Sequence, residues 1–218
     1  MKATFLLKDD KLDEAEKIFS ALTYKTDDIQ GNAADEQIKD CHECAENSDK
    51  RFSKLQLIGQ LKSLKKQAAG TDKVQAAEAT YRLGNVYYNT TWFGFAWRAV
   101  DYYRPYGFYK PEPNKPVYEN YDCSKALRHY TQAAELAKQL GNKELAAKCL
   151  FMAAKCEQND WYLRYTPKPG EDTYYQGIEP TYAPADRKYF TQLKGQYAAT
   201  AFYNEARAQC FYLNRFAR

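Results

Sequence analysis

The most compact group of metal- or redox-type side chains in the sequence is Cys41-His42-Glu43-Cys44. Two cysteines separated by two residues are half of a structural zinc site, which needs four ligands. No second pair of this kind occurs, which leaves Cys123 and His129 as the further ligands. The spacing also suits a disulfide or a redox-active pair, although no strand–helix pattern surrounds it. Cys41 and Cys44 are therefore candidates for a metal or redox site, and free thiols or a local structural bond are the alternative.

The sequence offers little material for acid–base catalysis, because it contains only two histidines, His42 and His129. It has no Gly-rich phosphate loop, no nucleophile elbow and no His-Glu-x2-His motif. Asp122 and Asp160 lie beside aromatic segments, where an isolated carboxylate is usually a helix cap. The residues form no catalytic constellation, so we predict that the protein is not an enzyme and uses no cofactor.

Aromatic residues are the unusual part of the composition, with 20 Tyr, 11 Phe and 3 Trp among 218 residues. Many of them lie with prolines in two stretches, residues 89–123 and 158–185. Rings at this density could form a platform for a peptide, a glycan or single-stranded nucleic acid. The alternative is that they pack against the rest of the chain, since loops of about 30 residues need burial to become ordered. The candidate binding residues are Trp92, Trp97, Tyr106, Trp161 and Tyr165.

The overall composition argues against several classes of protein. Charged residues make up 28% and apolar residues 44%, which is ordinary for a soluble globular protein. The net charge of +4 is small and both signs are interspersed, which argues against a dedicated nucleic-acid surface. No run approaches 18 consecutive apolar residues, so we predict no membrane span. The six cysteines lie partly within helical patterns, so their number does not assign a cell compartment.

Apolar periodicity predicts that helices dominate the chain. The clearest stretch, Lys125 to Cys156, reads as two antiparallel helices separated by Gly141-Asn142. Alanines are frequent on both apolar stripes, which favours close contact between the two helix backbones. Further helices are predicted over residues 11–22, 52–69, 71–88 and 186–216. The pattern as a whole indicates about seven main helices and an all-α fold.

The N-terminal part reads as an incomplete repeat. Residues 3–7 form only a short helical pattern before the helix at 11–22, and so short a helix is not stable alone. We therefore expect the chain to begin inside a repeat and to be a fragment of a longer protein. Residues 25–50 are mostly polar and contain Gly31, which predicts a loop or insertion with few apolar anchors.

Several of these helices resemble the tetratricopeptide repeat (TPR), in which Leu-Gly-x2-Tyr lies on a first helix and Ala-x3-Phe on a second. Leu83-Gly84-x2-Tyr87 matches the first-helix half. The second-helix half recurs as Ala15-x3-Phe19, Ala126-x3-Tyr130-x2-Ala133 and Ala199-x3-Tyr203-x2-Ala206. Two features depart from the family pattern, because Thr80 replaces its early Trp and its closing Pro is absent. The matches lie in the helical parts, which are about half of the chain.

The matches allow two registers. One takes Ala96 as the second-helix alanine, because it follows Gly84 at the ordinary distance, but it offers Val100 where the family has an aromatic residue. We therefore pair the helix of Gly84 with the helix that contains Ala126. The next repeat, whose first helix is matched only by Ala153-x2-Cys156, follows the same scheme.

This register places a long insertion inside each of two successive repeats. The connections at residues 89–123 and 158–185 are each about 30 residues longer than in an ordinary repeat. Insertions at equivalent positions emerge on one edge of a solenoid. We therefore expect the two insertions to pack against each other along that edge.

The resemblance implies an all-α, TPR-like right-handed superhelix, a short solenoid that forms one domain over residues 1–218 and carries the two Tyr- and Pro-rich insertions. It also implies a non-catalytic scaffold that binds a protein or peptide partner on its concave face or on the insertion edge. An alternative is a glycan-binding module of a cell-envelope protein, in which the rings of the insertions stack on sugars. A third hypothesis is a zinc- or redox-responsive element at Cys41 and Cys44.

Overall fold

Most of the chain that the structure describes is helical. The computed structural model describes residues 2–22, 29–39, 51–104, 119–164 and 187–218. Within these ranges there are nine α-helices, two short 3-10 turns and one pair of two-residue strands. The predicted all-α class is therefore confirmed.

Capping side chains and a glycine turn mark the ends of several helices. In chain order they are α1 (Lys2–Lys8), α2 (Leu12–Ser20), α3 (Lys54–Ala68), α4 (Lys73–Asn89), α5 (Ser124–Gln139), α6 (Lys143–Arg164), α7 (Lys188–Tyr197), α8 (Ala201–Gln209) and α9 (Phe211–Ala217). The strands β1 (Ile29–Gln30) and β2 (Arg51–Phe52) pair antiparallel before α3. Ser53 caps α3 and Asp72 caps α4 by accepting hydrogen bonds from the first-turn N–H groups. Gly141, at a φ of 68°, lies in the turn between α5 and α6.

Each helix contacts the helix that follows it in the chain. The buried apolar side chains form two clusters. One joins α4 to the helices that follow it, around Tyr130 and Phe151. The other joins α1, α2, α3 and α4, around Leu57 and Ile58. Because α4 contributes side chains to both clusters, it connects the N-terminal helices to the rest of the described fold.

Helices α4 and α5 pack so closely that only a residue without a side chain fits at Gly84. A Cβ atom there would lie 2.6 Å from Cε1 of Tyr130. The Tyr130 ring is fully buried, and its hydroxyl donates to Oδ1 of Asn85 at 2.9 Å. Helix α4 therefore packs directly against α5, as the register that pairs Gly84 with Ala126 requires, although residues 90–123 lie between the two helices in the chain. Ala96, the alternative partner, lies in the turn after α4.

The C-terminal region differs from the single helix predicted over residues 186–216. It contains α7, α8 and α9, which are separated at residues 198–200 and at Cys210. At the N-terminus, residues 2–8 form the seven-residue helix α1, where the sequence predicted a short helical pattern over residues 3–7. The division of the last predicted helix into three accounts for the nine helices of the described residues, against about seven predicted.

The break before α8 has a local and a distant cause. Thr200 has an extended backbone, and its hydroxyl accepts the N–H of Tyr203, so it begins a new helix. The carboxylate of Glu144, in the first turn of α6, accepts the first two N–H groups of α8 at 2.8 and 2.9 Å. Ala199 is consequently exposed in a turn, and the third second-helix motif does not lie on one helix.

Candidate functional site

Residues 29–39, which we call the crossing segment, lie across α4 and α6 and are bound there by side chains. The amide of Asn85 donates to the carbonyl of Ala34 at 3.1 Å. One turn further along α4, the amide of Asn89 donates to the two carbonyls that flank Ala34, at 2.9 and 3.0 Å. Buried carbonyls need such partners, because an unsatisfied polar group costs about 1–3 kcal/mol. These bonds therefore hold the main chain of the segment on α4.

Helix α6 binds the second half of the crossing segment. The ammonium of Lys155 donates to the carbonyl of Gln37 at 2.9 Å. The carboxylate of Glu36 accepts from the hydroxyl of Tyr81 and lies 3.3 Å from the ammonium of Lys148. Burial, together with the Glu36 charge, raises the pKa of Tyr81 well above its usual value, so its hydroxyl stays protonated and donates.

The crossing segment also buries apolar side chains. Ile29, Ala33 and Ala34 are almost completely inaccessible to solvent. The prediction of few apolar anchors over residues 25–50 is therefore wrong for this segment, because its buried side chains belong to the core cluster around Leu57 and Ile58, and side chains of α4 and α6 bind its main-chain carbonyls. The rest of that predicted loop lies outside the described residues.

A cavity of about 520 Å³ opens at the end of the crossing segment, and we call it the aromatic cavity. Its walls come from the crossing segment, the turn after α4, one face of α6, the start of α7 and the junction of α8 and α9. The rings that line it are Trp92, Phe93, Phe190, Phe211 and Tyr212. The polar side chains are Lys39, Lys155, Gln158, Asn159, Arg187 and Gln209. A mostly apolar cavity of this size with a few polar groups is typical of ligand sites.

The guanidinium of Arg187 is held in place at the start of α7. It donates to Oε1 of Gln158 on α6 at 2.5 Å. Its central carbon lies 5.4 Å from the ring centroids of both Phe190 and Tyr212, within the range of cation–π attraction. Three helices therefore fix the orientation of this charge at the cavity wall.

Helix α6 contributes three polar side chains to the cavity that are almost completely buried, those of Lys155, Gln158 and Asn159. The Lys155 ammonium lies 4.9 Å from the ring centroid of Tyr88, and the Asn159 amide donates to the Tyr88 hydroxyl at 3.0 Å. Our reading of the sequence missed these residues. The signal that could have found them is the presence of polar side chains on the otherwise apolar stripe of α6.

Among the predicted binding residues that the structure describes, Trp92 alone lines the aromatic cavity. It is half-buried, and its ring is already in contact with other groups. The guanidinium carbon of Arg104 lies 4.7 Å from its centroid, and the rings of Phe93 and Tyr121 lie at 5.2 and 5.3 Å. Trp92 therefore acts as part of the cavity wall.

Trp97 and Trp161, the other two predicted binding residues that the structure describes, lie away from Trp92's cavity. Trp97 begins a 3-10 turn, is half-buried and has the Arg98 guanidinium 5.3 Å from its ring centroid. Trp161 is half-buried near the end of α6. Neither lines the aromatic cavity. Tyr106 and Tyr165 lie outside the described residues, as does most of each predicted insertion, so the packing of the insertions stays a prediction.

Comparisons of the chain with protein-family models, with curated proteins and with solved structures found no match. The candidate site therefore has to be interpreted from its own geometry and chemistry. Across the ranges that the structure describes, no helix is both long and apolar enough to cross a membrane.

Four of the six cysteines lie in the part of the chain that the structure describes. No group of three or more His, Cys, Asp or Glu side chains there could hold a metal ion. Cys41 and Cys44 lie outside this part, so the hypothesis that they form a metal or redox site stays open. Cys149 is a buried free thiol whose pKa burial raises well above its usual value, while Cys210 is half-buried and lines the aromatic cavity.

A second group of polar side chains connects the N-terminal helices to the pair α4–α5. Asp10, in the turn between α1 and α2, lies 2.5 Å from the Lys65 ammonium and 3.2 Å from that of Lys125. The Tyr87 hydroxyl donates to the same carboxylate at 3.2 Å, and the Tyr87 ring stacks on His129 at 5.1 Å between centroids. We call these five residues the Asp10 cluster.

The electrostatics of the Asp10 cluster favour an ionised carboxylate and a neutral imidazole. Burial opposes ionisation of Asp10, but the hydrogen bonds and charges of Lys65 and Lys125 outweigh it and hold the pKa of Asp10 below its usual value. Burial, followed by the charges of Lys125 and Arg128, lowers the pKa of His129. The cluster joins the turn between α1 and α2 to the three helices α3, α4 and α5, and the two lowered pKa values are expected to make folding stability sensitive to acid.

Proposed function

We propose that the protein is a non-catalytic protein- or peptide-interaction module built from TPR-like helix pairs. The sequential contacts of the helices support this, because stacked helical repeats contact their neighbours in chain order. The contact of Gly84 with Tyr130 supports it as well, since a small residue on the first helix facing an aromatic residue on the second is the pairing that the repeat motif predicts. The right-handed superhelix and its two insertions are part of this proposal.

The aromatic cavity is the observation that carries the proposal. Aromatic rings supply large apolar contact area at a small cost in conformational entropy, and they dominate binding energy in many interfaces. The polar groups of the cavity are already oriented by bonds between helices, as Arg187 is by Gln158. A ligand would therefore meet a wall that needs little rearrangement, which favours binding.

The crossing segment supports a peptide as the ligand. Side chains of α4 and α6 already bind a non-helical stretch of chain through its main-chain carbonyls, as Asn89 and Lys155 show. Ile38 and Lys39, near the end of that stretch, line the cavity. A partner peptide in the aromatic cavity would continue along the same face of α6 and use the same kind of contact.

Selection from a displayed random peptide library on the intact chain, followed by fluorescence anisotropy with the selected peptides, tests the proposal. Phe211 lines the cavity and is 63% exposed, so Phe211→Ala should leave the fold intact and weaken binding by about tenfold or more. The matched control is Phe5→Ala on α1, because Phe5 is 42% exposed and lines no part of the cavity. Equal affinity of the two variants, or the absence of any selected peptide, would contradict the proposal.

The alternative of a glycan-binding module is favoured by a different surface. Tyr102 and Tyr103, within the first aromatic stretch, are 51% and 66% exposed, and the ring of Phe5 lies 6.3 Å from that of Tyr102. Exposed rings of this kind can stack on the apolar faces of sugars. A glycan array distinguishes the two functions, because glycan binding should be lost in Tyr102→Ala and Tyr103→Ala and kept in Phe211→Ala.

A further inference from the structure

We infer that the aromatic cavity binds an uncharged, extended segment of a partner peptide through the main chain of that segment. The amide of Gln158 donates to a peptide carbonyl, the amide oxygen of Asn159 accepts a peptide N–H, and one apolar side chain of the segment lies among the rings. This inference rests on the proposed function and names the groups of the peptide that the cavity recognises.

Two neighbouring amides on α6 have hydrogen-bonding capacity that the described residues do not use. Gln158 and Asn159 are only 8% and 5% exposed, and both line the cavity. Among the described residues only Arg187 bonds to the Gln158 side chain, through Oε1, so the amide N–H groups of Gln158 remain for a ligand. The Asn159 amide nitrogen donates to the Tyr88 hydroxyl at 3.0 Å and to Sγ of Cys123 at 3.9 Å, so its oxygen remains. An unused donor beside an unused acceptor matches the two polar groups of a peptide main chain.

The cations that α6 and the residue before α7 place in the wall are already bound within the protein. The Lys155 ammonium donates to the carbonyl of Gln37 at 2.9 Å. The Arg187 guanidinium donates to Gln158, and its charge acts on Glu157, whose carboxylate accepts the first N–H of α7 at 3.1 Å. A charged ligand would compete with these contacts, whereas an uncharged segment leaves them in place. The charges of the wall therefore favour a neutral ligand.

The fold already binds main chain on this surface in the same way. The Asn89 amide on α4 donates to two carbonyls of the crossing segment at 2.9 and 3.0 Å, and Lys155 on α6 binds a third. Gln158 and Asn159 follow Lys155 by three and four residues, so they lie one helical turn further along the same face of α6. A peptide on this turn would extend the row of main-chain contacts that begins with the crossing segment.

The rings supply the apolar part of the recognition. They come from the turn after α4 and from the C-terminal helices, whereas the two amides come from α6, so a single segment in the cavity meets both. Phe211 is 63% exposed, and a ligand side chain can cover it. In peptides bound as extended chains, main-chain hydrogen bonds supply affinity and side-chain pockets supply specificity. The partner should therefore present one large apolar residue within an otherwise variable sequence.

Peptides from the library selection, synthesised with acetylated N-termini and amidated C-termini, test the inference by fluorescence anisotropy. Replacing one main-chain amide at a time by an ester removes its N–H and weakens its carbonyl as an acceptor, while every side chain is kept. The affinity should fall by about three- to tenfold at one or both of the amides that flank the large apolar residue, and by less than about twofold elsewhere. Raising the salt concentration from about 50 to 300 mM should leave the affinity nearly unchanged.

A protein variant connects the ester effect to Gln158. Gln158→Glu keeps the oxygen that accepts from Arg187 and replaces the free N–H groups by a second oxygen, so it should fold and weaken the parent peptide by about tenfold or more. In this variant the ester that weakens the recognised carbonyl should cost about twofold or less, because the donor to that carbonyl is already missing. The control is Gln132→Glu, since Gln132 is exposed on α5 and lines no part of the cavity. It should bind all peptides as the parent chain does.

The outcomes separate the inference from the proposed function. Peptides that lose affinity in Phe211→Ala but tolerate an ester at every position would overturn the main-chain inference and keep the peptide-binding function. Equal ester losses in the parent chain and in Gln158→Glu would overturn it as well, and so would selected peptides that depend on an Asp or Glu and weaken in salt. Peptides that bind equally to the parent chain and to Phe211→Ala would overturn the proposed function itself.

Discussion

Gly84 and Tyr130 touch across the α4–α5 interface, where a Cβ atom at Gly84 would lie 2.6 Å from the Tyr130 ring. The two residues come from helices separated by residues 90–123 in the chain, and the two helices pack directly against each other. The buried hydroxyl of Tyr130 reaches Asn85, and Asn85 in turn binds the crossing segment. The absence of a side chain at Gly84 therefore allows α4 and α5 to pack closely. It also allows Tyr130 to reach Asn85, which binds the crossing segment beside the candidate site.

Gly84→Ala should destabilise the protein by about 1–3 kcal/mol, because the added methyl group overlaps the fully buried Tyr130 ring. The expected control result has the opposite sign. Gly59 in α3 and Gly195 in α7 have no atom within 4 Å of an added Cβ, so Ala there should stabilise by about 0.5–1 kcal/mol through helix propensity. Urea unfolding of the three variants measures these differences. A Gly84→Ala variant as stable as the other two would show that α4 and α5 are further apart than described.

Asn89→Ala should release the crossing segment, because it leaves two carbonyls that flank Ala34 without their amide donor. The expected cost is about 1–3 kcal/mol of unfolding free energy. Native-state hydrogen exchange provides the specific readout, since the N–H of Asp35, bonded to the carbonyl of Asn32, should exchange slowly in the parent and faster in the variant.

The control for Asn89→Ala is Asn204→Ala, because Asn204 is exposed on α8 and its amide reaches only the carbonyl of Thr200. It should leave exchange in the crossing segment unchanged. Fast exchange throughout residues 29–39 in the parent protein would contradict the conclusion that side chains of α4 and α6 hold this segment. It would instead agree with the weakly anchored loop predicted from the sequence.

Acid should destabilise the protein in two steps through the Asp10 cluster. The pKa of His129 is lower in the folded than in the unfolded state, so its contribution is complete above about pH 6.5 and is lost as the pH falls through the folded pKa. The pKa of Asp10 is also lowered, so its contribution is complete above about pH 3.9 and is lost at still lower pH.

Unfolding free energies measured between about pH 8 and 3 test this order of events. His129→Gln should remove part of the decline that begins near neutral pH, and Asp10→Asn should remove part of the decline at acid pH. Asn is a suitable replacement because Asp10 has a φ of 64° and Asn tolerates the left-handed region. Parallel pH profiles for the parent and both variants would show that other groups cause the acid sensitivity.

The two insertions are expected to pack against each other, and lysine cross-linking tests this without a further structure. Lys110 and Lys115 lie in residues 89–123, and Lys168 lies in residues 158–185. Cross-links from Lys168 to either of the other two lysines should appear in dilute, monomeric protein. The link between Lys110 and Lys115 serves as the reactivity control. If that link forms and no link to Lys168 is found, the insertions do not share an edge.

The helical class and the pairing of α4 with α5 could be predicted from the residues alone. Periodicity and small residues are local properties, since a stripe of Ala126, Tyr130 and Ala133 describes one face of one helix whatever surrounds it. The repeat motif adds that glycine on the first helix, here Gly84, leaves room for an aromatic ring on the second. This extends the prediction from single helices to a pair of helices. Burial of Tyr130 and Ala133 agrees with it.

The cavity and the crossing segment could not be predicted in this way, because they depend on contacts between residues distant in sequence. Lys155 meets Gln37, and Glu144 accepts the first N–H groups of α8, although no local pattern connects them. Polar residues on an apolar stripe show only that something polar must satisfy them, and they do not show which segment does so. Trp92 and Arg187 likewise line one cavity because α6 and α7 bring the turn after α4 close to the C-terminal helices. Such packing of faces that are distant in sequence is decided only by the tertiary structure.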